Sequence, residues 1–301
     1  MACSNCHLRN GTSAFGNPWA VVYLKYASSP YSARSNRNLD MTNRINDCML
    51  RSQNGKELPR GSYEVNSMIE YFKWLSTGMK VSDWTKVVGQ GSMKVADMTR
   101  AADPKKGKLV YQYKCAMCHQ WDGSGVWDPV AKRYIYPALW GKYSFNNGAG
   151  AYRLRTLVGF VKGNMPYPAT NPTDPTTQLS EADAWDVTAY VNSNARPTWS
   201  GYLTDWTGYT PSNCMPNWLR KFVDAGYANY FPRVETNGWL GGITTNPQKY
   251  PANQHKYGPW PDMLTLQTSM QNAYLAITPR PVYPLCQDFM YDPATGIGYL
   301  R

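Results

Sequence analysis

The chain has 301 residues, 43% of them hydrophobic, which is enough for about two domains with sizeable cores. Its 31 Lys and Arg residues outnumber its 20 Asp and Glu residues, giving a net charge of +11. Because this excess is not gathered into a Lys/Arg run, it argues against a nucleic-acid partner and favours a small anionic substrate or an acidic protein. No run of roughly eighteen apolar residues is present, so no integral membrane segment is predicted.

A Cys-x-x-Cys-His motif opens the chain at Cys3-Ser4-Asn5-Cys6-His7, and a second lies at Cys115-Ala116-Met117-Cys118-His119. In such motifs the two thiols form thioethers with a porphyrin and the histidine ligates its iron. Zinc-binding pairs usually lie ~12–20 residues apart, much closer than these two pairs. We therefore predict two covalently bound haem c groups, held by Cys3, Cys6 and His7 and by Cys115, Cys118 and His119.

The first motif begins almost at the first residue, whereas a cytochrome c domain normally has a helix before it. We expect that helix and a signal peptide to be missing from this sequence. Haem c is attached outside the cytoplasm, which predicts a periplasmic or otherwise exported protein. Disulfides persist there, and we expect one between Cys214 and Cys286, with Cys48 as the odd thiol.

The first predicted domain covers residues 1–88. Loop signals follow the motif, and a short apolar run at 19–24 is expected to pack against the haem. A helix is predicted from the N-cap Ser62 to Gly78, and a connector follows at 78–102. The apolar residues of this helix recur at helical spacing and form one face: Val65, Met68, Ile69, Phe72 and Leu75.

The second predicted domain covers residues 89–198. Asp103-Pro104 is typical of a helix start, and this helix runs into the second motif. Two more helices follow, one ending at Gly163 and one running from the N-cap Ser180 to before Pro197. The order of motif, loop, distal segment and closing helix repeats that of the first domain. The apolar face of the middle helix consists of Leu154, Leu157, Val158 and Val161.

Residues 199–301 are rich in Pro, Tyr, Trp, Gly and Asn and show no sustained periodicity. We expect them to wrap both haem domains as irregular coil with short helices, with 255–259 as a surface loop. The predicted fold class is therefore all-α: two tandem class-I cytochrome c-like haem domains plus a largely irregular C-terminal extension.

The chain has only three histidines, and two are assigned as proximal ligands, so bis-histidine ligation is excluded for at least one haem. For the second haem we predict Met165, which lies on a Gly/Asn/Pro loop between two predicted helices. A thioether ligand raises a haem's potential. For the first haem, Cys48 and Met49 occupy the equivalent place, and either could ligate the iron.

Basic and hydroxyl side chains surround Cys48. Arg44 and Arg51 would favour its thiolate form. At helical spacing Arg44, Cys48 and Ser52 fall on roughly one face. A cation, a thiol and a hydroxyl on one face resemble an anion pocket with a sulfur nucleophile, although a buried free cysteine is more often an inert small hydrophobe.

Short sequence elements over nearly the whole chain match one known family. They are Asn10-Gly11-Thr12, Pro18-Trp19, Tyr31 with Arg34-Ser35, Arg44-Ile45-Asn46, Cys48-Met49, Arg51-Ser52, Asn54-Gly55, Asn164-Met165-Pro166, and residues 68–76, 138–141, 144–150 and 255–259. Together they resemble the dihaem c-type thiosulfate dehydrogenases and tetrathionate reductases. The segment around Cys48 is the most specific part.

The resemblance implies that Cys48 is the axial thiolate of the first haem and that Arg34, Arg44 and Ser52 line the substrate site. Some family members carry a lysine just before the second-haem methionine and exchange these two ligands. Asn164 occupies that position here, so stable ligation by His119 and Met165 is implied.

The implied activity joins two thiosulfates into tetrathionate with release of two electrons, and it can run in reverse. We expect electrons to pass from the His7/Cys48 haem to the His119/Met165 haem and on to a cytochrome c that acts as acceptor or donor. The arginines would offset the repulsion between two dianions, and Cys48 could bond transiently to a substrate sulfur.

Two other functions stay open. A dihaem electron carrier, or a subunit of an electron-conducting assembly, would use Met49 rather than Cys48 on the iron and would have no anion pocket. A thiosulfate–carrier-protein oxidoreductase would need a protein thiol as co-substrate and would not release tetrathionate. A dihaem peroxidase is disfavoured, because it needs an open iron site and nothing in the sequence indicates one.

Overall fold

The computed structural model describes residues 1–32, 35, 37–96, 102–201, 289–292 and 297–300. Of these, residues 1–32, 37–96 and 103–201 belong to one compact unit, and the others to a second unit. The boundary between the predicted haem domains, at residues 88 and 89, stays a prediction. The predicted site residue Arg34, the predicted disulfide between Cys214 and Cys286, and the loop at 255–259 lie outside the described residues.

Helices dominate the described chain. They are α1 Leu8–Gly11, α2 Val22–Ala27, α3 Met41–Leu50, α4 Tyr63–Leu75, α5 Pro104–Lys114, α6 Ala116–His119, α7 Leu154–Asn164 and α8 Glu181–Ser193. Short 3-10 turns lie at Cys3–Asn5, Val81–Thr85, Gly150–Tyr152 and Pro175–Thr177. None of the helices in this part of the chain is both long and apolar enough to cross a membrane.

Three antiparallel hairpins add to the helices. β1 Tyr31–Ser32 pairs with β2 Arg37–Asn38, β3 Val126–Asp128 with β4 Arg133–Tyr136, and β5 Phe289–Asp292 with β6 Ile297–Leu300. The prediction of a mainly helical fold is confirmed, but the prediction did not include these hairpins. Where coil with short helices was expected near the C-terminus, the described residues form β5 and β6, whose aromatic and branched side chains favour strands.

The first three larger helices, α2 to α4, pack around a small apolar core of Met41, Ile45, Val65 and Phe72. The predicted N-cap is confirmed, since the Ser62 side chain accepts a hydrogen bond from the Val65 backbone N–H. On the predicted apolar face of α4, Val65 and Phe72 belong to the core, and Met68 and Ile69 pack against it. Hydrophobic periodicity therefore located the buried side of α4 correctly.

Helices α5 and α8 form the main helix pair of the second half. Both predicted caps are confirmed: Asp103 accepts from the Lys105 N–H at 2.8 Å, and Ser180 accepts from the Asp183 N–H at 3.0 Å. The helices touch at Gly107, where an added Cβ would overlap the carbonyl oxygen of Asp186. The absence of a side chain at this position lets the two backbones meet.

Replacing Gly107 with Ala tests this contact. The added methyl group has no space beside α8, so the helices must move apart, and we expect a loss of about 1–3 kcal/mol of unfolding free energy. Thermal unfolding followed by far-ultraviolet circular dichroism measures the change. Lys108→Ala, on the exposed side of the same helix, is the control and should leave Tm almost unchanged. Equal Tm values for the two variants would contradict the described packing.

Candidate active site and haem-binding residues

The first motif folds into a tight turn that positions His7. The His7 N–H donates to the Cys3 carbonyl oxygen at 2.9 Å, and the ring Nδ1 lies 2.6 Å from the Asn17 carbonyl oxygen. Because a carbonyl oxygen only accepts, Nδ1 carries the proton and Nε2 keeps its lone pair. Burial lowers the His7 pKa to about 4, with the Asn17 bond opposing and the Arg44 charge adding to the effect. The imidazole is therefore neutral, the form that ligates iron.

The second motif repeats this arrangement. The His119 N–H donates to the Cys115 carbonyl oxygen at 2.8 Å, and Nδ1 lies 2.9 Å from the carbonyl oxygen of Pro137. Burial lowers the His119 pKa, although the Pro137 bond opposes this. Sequence reasoning missed both carbonyl partners, Asn17 and Pro137. Each lies at or beside a proline in a loop, a signal that marks the turn but not the hydrogen bond.

A cavity of about 220 Å³ joins the first motif to helix α3. Its lining includes the motif residues Cys3, Cys6 and His7 and, from α3, Cys48 and Met49. Haem c requires two thiols for covalent attachment, a neutral imidazole to ligate its iron, and apolar walls around the porphyrin. The residues present therefore fit this cofactor. The apolar and aromatic part of the lining includes Trp19, Val22, Ile45, Met68 and Phe72.

Helix α3 presents Arg44 and Cys48 to this cavity, one helical turn apart. Nη1 of Arg44 donates to Sγ of Cys48 at 3.0 Å. The electrostatic interaction with the Cys48 sulfur raises the pKa of Arg44, burial opposes the rise and Tyr26 adds to it, so the guanidinium stays charged. Ser52 lies just past the end of α3 and lines the same cavity. Three of the four predicted catalytic residues are therefore together, and their catalytic roles stay predictions.

Arg51 lies in a different environment from Arg44. Of the two arginines expected beside the thiol, Arg44 contacts it, whereas Arg51 forms an ion pair with Asp47 at 2.6 Å. Both partners are buried, with side chains 6% and 9% exposed, and Arg37 donates to the same Asp47 oxygen at 2.8 Å. The guanidinium carbon of Arg51 lies 4.0 Å from the ring centre of Trp199. Arg51 therefore anchors the end of α3.

Asn146, from the second half of the chain, holds the same end of α3. Its Nδ2 donates to the Leu50 carbonyl oxygen at 2.7 Å and to Oδ1 of Asn54 at 3.1 Å. Its backbone N–H donates to the Arg51 carbonyl oxygen at 3.3 Å. The last carbonyls of a helix have no partner within it, so Asn146 supplies one. Sequence reasoning noted residues 144–150 only as a family element and gave no role to Asn146.

The loop of the predicted second-haem ligand is tied to the first motif. Met165 follows α7 directly and is partly exposed. Its neighbour Asn164 is buried, and Nδ2 donates to the carbonyl oxygens of Phe15 at 3.0 Å and Phe160 at 2.9 Å. Phe15 belongs to the loop whose Asn17 carbonyl orients His7. Ligation of iron by Met165 stays a prediction.

The helical fold, the two Cys-x-x-Cys-His turns and the fitted cavity define a c-type cytochrome. A family model described as Cytochrome c matches residues 104–195, which include the second motif. The chain is 37% identical over 201 residues to a thiosulfate dehydrogenase of Allochromatium vinosum, covering 65% of this chain and 70% of that protein. The chain belongs to the thiosulfate dehydrogenase family of c-type cytochromes, as its sequence elements predicted. Its haem c is covalently bound.

Two further comparisons agree with this family. A thiosulfate dehydrogenase of Psychrobacter arcticus is 36% identical over 221 residues, covering 73% of this chain and 63% of that protein. The chain thus spans less than two thirds of that relative's length. The solved structure of thiosulfate dehydrogenase (TsdBA) from Marichromatium purpuratum, in its "as isolated" form, is similar with a TM-score of 0.59 and 30% identity. That match covers 65% of this chain and 41% of the solved one.

Replacing Asn146 with Ala tests the anchor of α3. The change leaves the half-buried Leu50 carbonyl without its partner, and we expect a loss of about 1–3 kcal/mol of unfolding free energy. Denaturant unfolding of the haem-loaded protein measures it. The control is Asn66→Ala, which removes one exposed hydrogen bond to the Gly61 carbonyl oxygen and should change stability by less. The anchor is refuted if both variants lose the same amount.

Proposed function

We propose that the chain is a dihaem thiosulfate dehydrogenase, periplasmic or otherwise exported, that joins two thiosulfate ions into tetrathionate. The balanced reaction is 2 S2O3²⁻ → S4O6²⁻ + 2 e⁻, and in reverse it is a tetrathionate reduction. The observation that carries the proposal is the charged Arg44 on the Cys48 sulfur, inside the cavity that also holds the first haem-attachment motif. The names of the relatives, thiosulfate dehydrogenases, point to the same substrate.

The substrates are two dianions, which repel each other. A cationic site offsets this repulsion, and it acts more strongly in a cavity than in water. Arg44 offers planar N–H donors that suit the oxygens of a sulfonate group, and its raised pKa keeps it charged over the working range of pH. Ser52 adds a hydroxyl donor on the same lining, and Arg34 is proposed as a second cation.

Cys48 supplies the sulfur that exchanges partners. Its thiolate and the outer sulfur of one thiosulfate form an S–S bond with loss of two electrons, giving Cys–S–S–SO3⁻. The outer sulfur of a second thiosulfate then attacks that sulfane sulfur, forms tetrathionate and returns Cys48 to the thiolate. Arg44, which donates to the Cys48 sulfur, stabilises the thiolate both before attack and as it leaves.

Two haem c groups are proposed, each in its own tandem class-I domain, at residues 1–88 and 89–198. Most of the predicted wrapping extension, 199–301, lies outside the described residues. His7 with Cys48 and His119 with Met165 would ligate their irons. When bound, the haems supply one-electron redox chemistry, taking up the two electrons and passing them from the first to the second and on to an acceptor cytochrome.

A plain dihaem electron carrier is the second candidate. The observation that favours it is Met49, which lines the same cavity as His7 and Cys48 and could ligate the iron in place of the thiolate. Such a protein would pass electrons without any thiosulfate chemistry.

Cys48→Gly tests the proposed function. It removes the reacting sulfur, so thiosulfate oxidation with ferricyanide as acceptor should fall by about a thousandfold or more, with both haems still attached. Tetrathionate is quantified by chromatography. Met49→Leu is the matched control on the neighbouring position and should keep its activity. Full activity in Cys48→Gly would sink the proposal, and a protein that never oxidises thiosulfate would favour the electron carrier.

Arg44→Gln tests the cation. It keeps a planar donor but removes the charge, so we expect kcat/KM for thiosulfate to fall by about a hundredfold. Raising the ionic strength should lower the wild-type rate more than the variant rate. Salt screens the attraction between the Arg44 charge and thiosulfate, which only the wild type has. Arg9→Gln, an exposed arginine elsewhere, is the control. An unchanged kcat/KM in Arg44→Gln would exclude Arg44 from substrate binding.

A further inference from the structure

Helix α5 has one buried side and one apolar side that nothing in the described chain covers. Gly107 and Tyr111 are buried on the side that packs against α8. On the other side, Leu109 is 56% exposed and Tyr113 is 84% exposed. Large hydrophobic side chains in this state cost solvation free energy in an isolated protein, and a contiguous group of them marks an interaction surface.

Two more exposed apolar residues follow α5 in the sequence, one inside the haem-attachment motif and one just after it. Met117 is 88% exposed and Trp121 is 68% exposed, so exposed apolar residues recur at every fourth position of the sequence from Leu109 to Trp121. Met117 is the residue between Ala116 and Cys118 of the second motif. We call these four residues the docking row. A protein that covers the docking row would contact Met117, which is next in sequence to Cys118, a proposed thioether-forming cysteine of the second haem.

The charge around the docking row is mostly positive. Residues 103–122 contain four lysines and two aspartates, Asp103 at the start of α5 and Asp122 beside Trp121. None of these four lysines forms an ion pair with another residue of the described chain. An apolar centre with a basic rim is complementary to a partner that has an apolar patch with an acidic rim. The four lysines are Lys105, Lys106, Lys108 and Lys114.

We propose that the docking row, Leu109, Tyr113, Met117 and Trp121 with its four lysines, binds a small acidic redox protein that takes electrons from the second haem. This inference rests on the proposed function, since it names the surface and the charge of the electron acceptor. Opposite charges steer the encounter, and the apolar row excludes water where the proteins meet. The protein oxidised is this chain, and the protein reduced is the acidic partner, by one electron per encounter.

The experiment uses two probes that differ in charge. These are mitochondrial cytochrome c, which is basic, and its succinylated derivative, which is acidic. The haem-loaded chain is first reduced with dithionite, so the measurement does not depend on thiosulfate. In stopped flow at low ionic strength, the acidic probe should oxidise the chain at least about tenfold faster than the basic one. This advantage should disappear as salt is added.

Variants then locate the surface. Lys106→Glu with Lys108→Glu should slow the acidic probe about tenfold. Tyr113→Ser should slow it severalfold and weaken its binding in calorimetry with both proteins oxidised. Tyr63→Ser, which is also 84% exposed but lies on α4, and Lys80→Glu are the controls and should change neither quantity. The midpoint potentials should stay the same in all variants, which separates docking from a change in the haem.

Three results would overturn the inference. In the first, the docking-row variants match their controls in rate and binding. In the second, the basic probe reacts as fast as the acidic one. In the third, Tyr113→Ser converts a dimer into a monomer without slowing the probe, which makes the row a contact between copies. If thiosulfate fails to reduce the wild-type haems while the variants still slow the acidic probe, the proposed function fails and the docking surface stands.

Discussion

The hydrogen bond from Arg44 to the Cys48 sulfur is the interaction on which the site depends. A guanidinium enclosed in a protein needs a negative or strongly accepting partner, because burial alone disfavours its charge. Helix α3 provides that partner one turn away, at 3.0 Å. The pair lies in the cavity of the first motif, where burial keeps His7 neutral and the Asn17 carbonyl oxygen accepts from its Nδ1–H. The first motif and helix α3 thus bring together the neutral imidazole of His7, the sulfur of Cys48 and the charged Arg44.

Each of the two proposed iron centres is braced by the other half of the chain. The end of α3, which carries Cys48, is held by Asn146, and Arg51 at the same end lies against Trp199. In the opposite direction, Asn164, next to Met165, donates to the Phe15 carbonyl in the loop of the first motif. These reciprocal contacts connect the segments that carry the two proposed iron centres.

Local chemistry made part of this structure predictable. The caps at Ser62, Asp103 and Ser180 are readable from sequence, because a cap depends on residues only a few positions apart. The two attachment motifs are equally local. Contacts between distant residues were missed: the Asn17 carbonyl on His7 and the Asn146 side chain on Leu50. Arg51 shows the limit most clearly, since spacing alone placed it beside the thiol, whereas the fold pairs it with Asp47.

The central claim is that the sulfur of Cys48 ligates the first haem iron. Electron paramagnetic resonance with near-infrared magnetic circular dichroism of the oxidised protein tests it most directly, because thiolate and thioether ligands give separate low-spin ferric signals. The account predicts one histidine/thiolate signal and one histidine/methionine signal in the wild type, and loss of the thiolate signal alone in Cys48→Gly. Two histidine/methionine signals in the wild type, unchanged in the variant, would contradict it.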